Sequence, residues 1–314
     1  MLNWNKNQRY AGVGLLGGAL WGVDTVLLGI VLAASPFSQY ASLAPLIATF
    51  LHDSTSSVWL LILTAIQGHL KTFFHAIISS SGRWVMLAAL CGGPIGMTGY
   101  ILSIQYLGAS NTAVISAMYP AFGVFLSFIV FHTHLFKHQF LGLGIAILGT
   151  MLIGFSTATS TKASMIGFLF ALMCVFGWGS ESVISAYGMK DDLDPQIALF
   201  IRQLTSGVFY FLVVMPLIKN GFFIAANAIK SPIFLMLLIT SLSGTISYLC
   251  YYKSINIIGP VQAMGLNISY SAWAILIGLL TGTPFNIRTF LIALLIILGS
   301  ILTTEHPKDF FTFK

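Results

Sequence analysis

The octapeptide Trp178-Gly-Ser-Glu-Ser-Val-Ile-Ser185 lies inside an apolar run that extends from about residue 164 to 187. It sets a carboxylate three residues after a tryptophan and four before Ser185, on one helix face. Trp21-Gly-Val-Asp24 repeats the order Trp-Gly-x-acid in an apolar run near the start of the chain. An ionisable group at bilayer depth is costly, so it faces a protein interior or a wet cavity and marks a pathway. Two such acids at matching places of two halves point to a site near the midplane, where the halves meet.

Composition names the solvent. Of 314 residues, 57% are hydrophobic and 7% charged, with mean hydropathy +0.92. A soluble domain carries about 25% charged residues. The fold class is therefore an all-α membrane protein. The net charge of +6 comes from basic residues scattered singly near segment ends, which serves orientation and not nucleic-acid binding. Cys91, Cys174 and Cys250 lie in apolar segments without Cys-x-x-Cys spacing and read as small buried hydrophobes. The first apolar run is followed by many others, so it reads as a spanning helix and not as a cleaved leader.

Ten spans of about 20 residues fit the hydropathy. They cover about 11–34, 38–67, 84–106, 110–131, 138–157, 164–187, 195–217, 232–253, 260–281 and 286–304. The second is the least clear, because His52, Asp53, Ser54 and Thr55 interrupt it; they mark either a polar pair inside the membrane or a break or deep loop. Tyr100-Ile-Leu-Ser-Ile-Gln-Tyr-Leu-Gly108 aligns with Tyr251-Tyr-Lys-Ser-Ile-Asn-Ile-Ile-Gly259. The same offset pairs Ser116 with Asn267, Tyr119 with Tyr270 and Phe122 with Trp273, while Trp21-Gly22 matches Trp178-Gly179 and Gly149 matches Gly299. The expected organisation is a first five-helix repeat over residues 1–160 and a second over 161–314, integrated into one transmembrane domain. Five crossings is odd, so the two copies have inverted topology. With the N-terminus inside, Lys6, Arg9, Lys71, Arg83, Lys137, Lys190, Lys308 and Lys314 fall on the cytoplasmic side. Lys162, Lys219, Lys230 and Arg288 fall opposite. That bias places both termini in the cytoplasm.

Glu181 is the first candidate site residue and Asp24, by internal symmetry, the second. Each has two readings: a functional carboxylate, or one partner of a buried ion pair that locks helices, with Arg202 the obvious cation for Glu181. Aromatics form the other constellation. Tyr248 and Tyr252 are four apart on one face, and Asn267, Tyr270 and Trp273 step by three round an adjoining face. With Trp178, Trp21 and Tyr119 they can surround a cavity. Several aromatic faces and one carboxylate suit a quaternary ammonium, which the ring quadrupole attracts at about 2 kcal/mol or more per desolvated contact. The competing reading is helix packing or an interfacial aromatic belt.

Gly12, Gly14, Gly17, Gly18 and Gly22, and Gly142, Gly144 and Gly149, permit close helix approach. Gly92-Gly-Pro-Ile-Gly96 is expected to break or bend the third span. It lacks the Lys-Ser/Thr ending of a phosphate loop, and no cofactor is expected. His132, His134 and His138 at a helix connection read as a solvated loop and not a metal site.

Four stretches carry a family resemblance: Gly92-Gly-Pro-Ile-Gly-Met97; Trp178-Gly-Ser-Glu-Ser-Val183; Ile201-Arg-Gln203 with Thr205-Ser206; and Ile246-Ser-Tyr-Leu249 continuing to Tyr252, Asn256, Gly265-Leu-Asn267, Ser269-Tyr270 and Trp273. Together they resemble the bacterial LicB-type choline transporters of the drug/metabolite transporter superfamily, over most of the chain and most specifically in its second half. The resemblance implies import of choline across the bacterial cytoplasmic membrane, supplying phosphocholine for surface glycans. It also implies a cation site at Trp178, Glu181, Tyr248, Tyr252, Asn267, Tyr270 and Trp273. Asp24 departs from the pattern expected after the first Trp-Gly. Glu181, Asp24, Asp53 and Arg202 are the candidates for coupling transport to protons. The alternative is an exporter of amino acids, drugs or metabolites. An intramembrane enzyme lacks a nucleophile–base pair here, and a receptor lacks an output domain.

Overall fold

Backbone groups without water to bond must pair within the segment, and helices do this. In the computed structural model, which describes residues 6–40, 42–107, 112, 115, 116, 118–157, 165–280 and 286–303, no strand occurs among the described residues. The helices are α1 Lys6–Ala33, α2 Ala44–Ile66, α3 Leu70–Ile78, α4 Ser80–Leu90 and α5 Thr98–Leu107. There follow α6 Tyr119–Phe131, α7 Lys137–Thr157, α8 Met165–Gly188, α9 Pro195–Phe209 and α10 Met215–Leu217. The last are α11 Gly221–Lys230, α12 Ile233–Ile258, α13 Pro260–Asn267, α14 Tyr270–Leu280 and α15 Ile287–Leu302.

Seven helical stretches among the described residues are long and apolar enough to cross a membrane. They include Ser80–Ser103, Pro195–Leu217 and Pro260–Leu280, each of which joins more than one of these helices. Tyr119–Phe131, Gly221–Lys230 and Phe290–Leu302 are apolar but shorter. Residues 110, 111, 113, 114 and 117, within the expected fourth span, lie outside the described residues.

The doubtful second span is one continuous helix, with His52 and Asp53 buried at 6% and 5% exposure. A deep loop there is thereby excluded. The Gly92-Gly-Pro stretch does not break its helix but widens it into a π-helical segment, Cys91–Met97, between α4 and α5. Pro94 removes one backbone donor, and a wider turn re-satisfies the neighbours. A second π segment, Tyr210–Val214, follows α9. The short helices α3 and α11 were not expected. Ser79 opens α4 by accepting from Gly82 N at 3.0 Å, and Asp194 opens α9 by accepting from Gln196 N at 2.8 Å.

The polarity is inside out. Leu148, Leu169, Leu212, Leu235 and Phe125 are more than half exposed, while Asp24, Glu181 and Arg202 are at most 4% exposed. Lipid as the outer solvent accounts for both facts.

Packing between the halves is reciprocal. Helix α1 runs along α12 and also packs on α13 and α14. Correspondingly, α8 packs on α4, the first π segment, α5 and α6. Helix α2 meets α9, and α7 meets α15. Glycines set these approaches. A Cβ at Gly22 would sit 2.8 Å from Trp273 Cβ; one at Gly179 would sit 2.8 Å from Phe122 Cδ1. The Trp-Gly pair that opens each half thus packs on the residue that the sequence offset matches across the other.

Candidate functional site

Helices α1, α6, α8, α12, α13 and α14, with the first π segment, line a cavity whose empty space, open solvent included, is about 540 Å³. Trp21, Tyr119, Trp178, Tyr248, Tyr251 and Tyr270 form its aromatic walls. Met97, Ser182, Ser247, Asn267 and the Glu181 carboxylate complete it. The rings hold one another. Trp21 meets Tyr248 edge-on at 4.9 Å between centroids, and Tyr119 meets Trp178 edge-on at 5.9 Å. Edge-to-face contacts are the preferred aromatic geometry and leave other ring faces for a ligand. Asn267 Nδ2 donates to the Tyr119 hydroxyl at 3.2 Å, fixing both.

Glycines make room for the polar groups. A Cβ at Gly92 would fall on the Glu181 carboxylate, and one at Gly96 would lie 2.7 Å from Trp178 Cδ1. The π segment therefore does more than bend: it offers a side-chain-free wall against which the acid and the indole stand.

Behind the cavity runs a buried charge network. Arg202 Nε donates to Glu181 Oε1 at 2.6 Å, and Nη2 donates to Oε2 at 3.3 Å. Nη2 also donates to the Tyr248 hydroxyl at 3.2 Å, and the guanidinium carbon sits 4.8 Å from that ring's centroid. One face of Tyr248 is thus already occupied by a cation. Arg202 Nη1 donates to Asp53 Oδ2 at 3.3 Å and to Gln203 Oε1 at 2.8 Å. Asp53 Oδ2 accepts a further bond from Ser206 at 2.6 Å. On its other side, Asp53 Oδ1 lies 3.3 Å from His52 Nδ1, and His52 Nε2 lies 2.9 Å from Asp24 Oδ1.

The structure thus brings Trp21, Tyr119, Trp178, Glu181, Tyr248, Asn267 and Tyr270 together around one space. Tyr252 and Trp273 stand outside it. Tyr252 is fully buried one step behind, its hydroxyl 3.0 Å from Ser185 Oγ and 3.5 Å from Glu181 Oε1. Trp273 packs against Gly22 on α1. Asp24, Asp53 and Arg202 lie behind the cavity, and Asp24 is held by His52. Sequence reasoning missed Met97, Ser182, Ser247 and Tyr251. Tyr251 was within reach: it follows Tyr248 by three, as Tyr252 does by four, and both spacings share a face.

A buried aromatic cavity with a carboxylate, inside a bundle whose outer surface is apolar, defines a multi-pass membrane transporter. The chain belongs to the EamA-like transporter family, which matches residues 9–155 and 165–305. It is 32% identical to Protein LicB of Haemophilus influenzae over 299 residues, 94% of this chain and 99% of that one, and is LicB-type within the superfamily. A solved structure at 13% identity superposes with a TM-score of 0.74, covering 96% of this chain and 100% of its own, which speaks for the fold alone.

Proposed function

We propose that this protein imports choline, a quaternary ammonium, across the bacterial cytoplasmic membrane by alternating access, feeding phosphocholine decoration of surface glycans. The observation that carries the reading is Glu181: it is the one carboxylate among the described residues that line the aromatic cavity. A quaternary ammonium has no N–H to donate, so a site can hold it only by charge and by ring faces. The walls supply both. The resemblance to LicB-type choline transporters supports the same substrate, with phosphocholine for surface glycans as its destination.

The transport cycle in this reading uses two inverted five-helix repeats, residues 1–160 and 161–314, with both termini cytoplasmic. The two segments matched by the family, one on each side of residues 156–164, support the duplication. Reciprocal packing of α1 on α12 to α14 and of α8 on α4 to α6 supports it further. Lining residues come from both copies: Trp21 with Trp178, Met97 with Tyr248, and Tyr119 with Tyr270 are pairs at the sequence offsets. A site shared in this way opens to either side as the halves rock.

The test is uptake of labelled choline by vesicles reconstituted with the purified protein, with unlabelled amino acids and choline as competitors. Saturable choline uptake, displaced by choline alone, is the expected result. Transport of amino acids with no choline uptake would instead support the superfamily exporter.

A further inference from the structure

Outside the cavity, the described residues place one imidazole between two carboxylates. His52 Nε2 is 2.9 Å from Asp24 Oδ1, and Nδ1 is 3.3 Å from Asp53 Oδ1. All three side chains are at least nine-tenths buried. An ionised carboxylate only accepts hydrogen bonds, and a neutral imidazole has a single N–H. Both contacts are therefore satisfied only if the three groups share one additional proton. Without it, a ring lone pair faces a carboxylate lone pair in a buried space, an arrangement that carries a large electrostatic cost.

We infer that Asp24, His52 and Asp53 form a proton-binding site, distinct from the cavity, whose occupancy is linked to that of the cavity through Arg202. The inference rests on the choline reading for the ligand, and its own content is the proton. The wiring is short. Asp53 gives Oδ1 to His52 and Oδ2 to Arg202, whose Nε bonds the Glu181 carboxylate at the cavity wall. The triad lies wholly on α1 and α2; Arg202 and Glu181 lie on α9 and α8. The joint between the two groups is the Asp53–Arg202 ion pair at 3.3 Å.

The sign follows from charge. With the proton bound, three carboxylates face one imidazolium and one guanidinium, which leaves a single surplus negative charge for a cavity cation to match. A cation beside Glu181 frees part of Arg202's attraction for Asp53, and Asp53 then holds the proton on His52 less strongly. Choline binding should thus release protons from the triad.

Other groups around the triad do not supply a competing proton acceptor of the same kind. Helix α12 presents Gly244 to His52 and Asp24; a Cβ there would lie 2.8 Å from both Asp24 Oδ1 and His52 Nε2. Asp53 is faced by Arg202 and Ser206 of α9, with Tyr210 of the following π segment nearby. Around Arg202 and Glu181 the titratable groups include Tyr248 and Tyr252, with Cys91, Tyr119 and Tyr251 also near Glu181.

The experiment uses the full-length purified protein in weakly buffered detergent solution with a pH-indicator dye. Choline is added at a series of starting pH values from neutral upward, and its binding is measured in parallel by calorimetry. Parent protein is expected to release protons on binding choline. His52→Gln, which keeps a polar side chain but cannot hold the extra proton, is expected to bind choline and release none. Asp24→Asn, which removes one of the two acceptors, should lose the release as well. Choline binding by the parent without proton release at any pH would overturn the inference and leave the choline reading standing. Release of parental size from His52→Gln and Asp24→Asn would also overturn it, by moving the proton elsewhere. Absence of choline binding by the parent overturns the choline reading and this linkage with it.

Discussion

Glu181 and Asp24 each follow the sequence Trp-Gly-x, yet their carboxylates have different partners. Glu181 accepts from Arg202 Nε at 2.6 Å and borders the cavity, whereas Asp24 lies 2.9 Å from His52 Nε2 and does not. Two acids in equivalent sequence settings are thus divided between the cavity wall and a separate polar cluster. The division depends on what the facing helices supply: a guanidinium from α9 for one, an imidazole from α2 for the other.

Glu181→Gln should abolish most choline affinity while leaving folded protein. The amide keeps the shape and a hydrogen-bond acceptor for Arg202 but withdraws the cavity's counter-charge. Calorimetry with choline, alongside size-exclusion profiles of the variant, checks this. Parental affinity would confine the carboxylate to holding Arg202.

Arg202 separates stability from recognition. Arg202→Met leaves Glu181 buried without its cation and Asp53 with His52 alone, and breaking such a buried pair costs about 3–5 kcal/mol. Thermal unfolding in detergent should shift strongly downward. Adding Glu181→Gln to Arg202→Met removes one orphaned charge, so the double variant should recover part of the lost stability and still fail to bind choline. Recovery of binding with stability would show that Glu181 serves the fold alone.

The aromatic wall should read charge and not shape. Trp178→Leu and Tyr251→Leu keep bulk near the cavity but remove a ring, and each should cost about 1–2 kcal/mol of choline affinity. Tyr252, one step behind, should tolerate Tyr252→Phe with little effect on affinity, since its hydroxyl serves Ser185 at 3.0 Å. The uncharged isostere 3,3-dimethylbutanol should compete poorly against labelled choline. Equal competition by that alcohol would remove the cation–π account.

Much of this site can be read from spacing. Trp178 and Glu181 share a face because helices repeat every 3.6 residues, and both line the cavity. The limits are equally physical. Tyr251 and Tyr252 both satisfy the face of Tyr248, and only the rotation of α12 against α1 decides which ring looks into the cavity. That rotation is set by tertiary contacts such as Ser247 Oγ donating to Gly17 O at 2.7 Å. His52 meets Asp24 across 28 positions of sequence, a pairing no local pattern encodes. Helices α3 and α11 are too short for a spanning signal and lie between the second and third spans of each half.

The closest test of the glycine wall is Gly92→Ala. A Cβ at position 92 would occupy the space of the Glu181 carboxylate, including Oε2 and Cδ. The acid must then turn away, losing its bond to Arg202 or its place at the cavity. Overpacking of a buried site costs about 1–3 kcal/mol, and the same displacement should weaken choline binding. Gly29 and Gly144 supply the comparison, because nothing lies within 4 Å of a Cβ built on either. Gly29→Ala and Gly144→Ala should be neutral or gain up to about 1 kcal/mol from helix propensity. Melting temperature and choline affinity, measured on all three variants, check the contrast. A Gly92→Ala protein that matches the other two in both readouts would show that the Cys91–Met97 segment does not position Glu181.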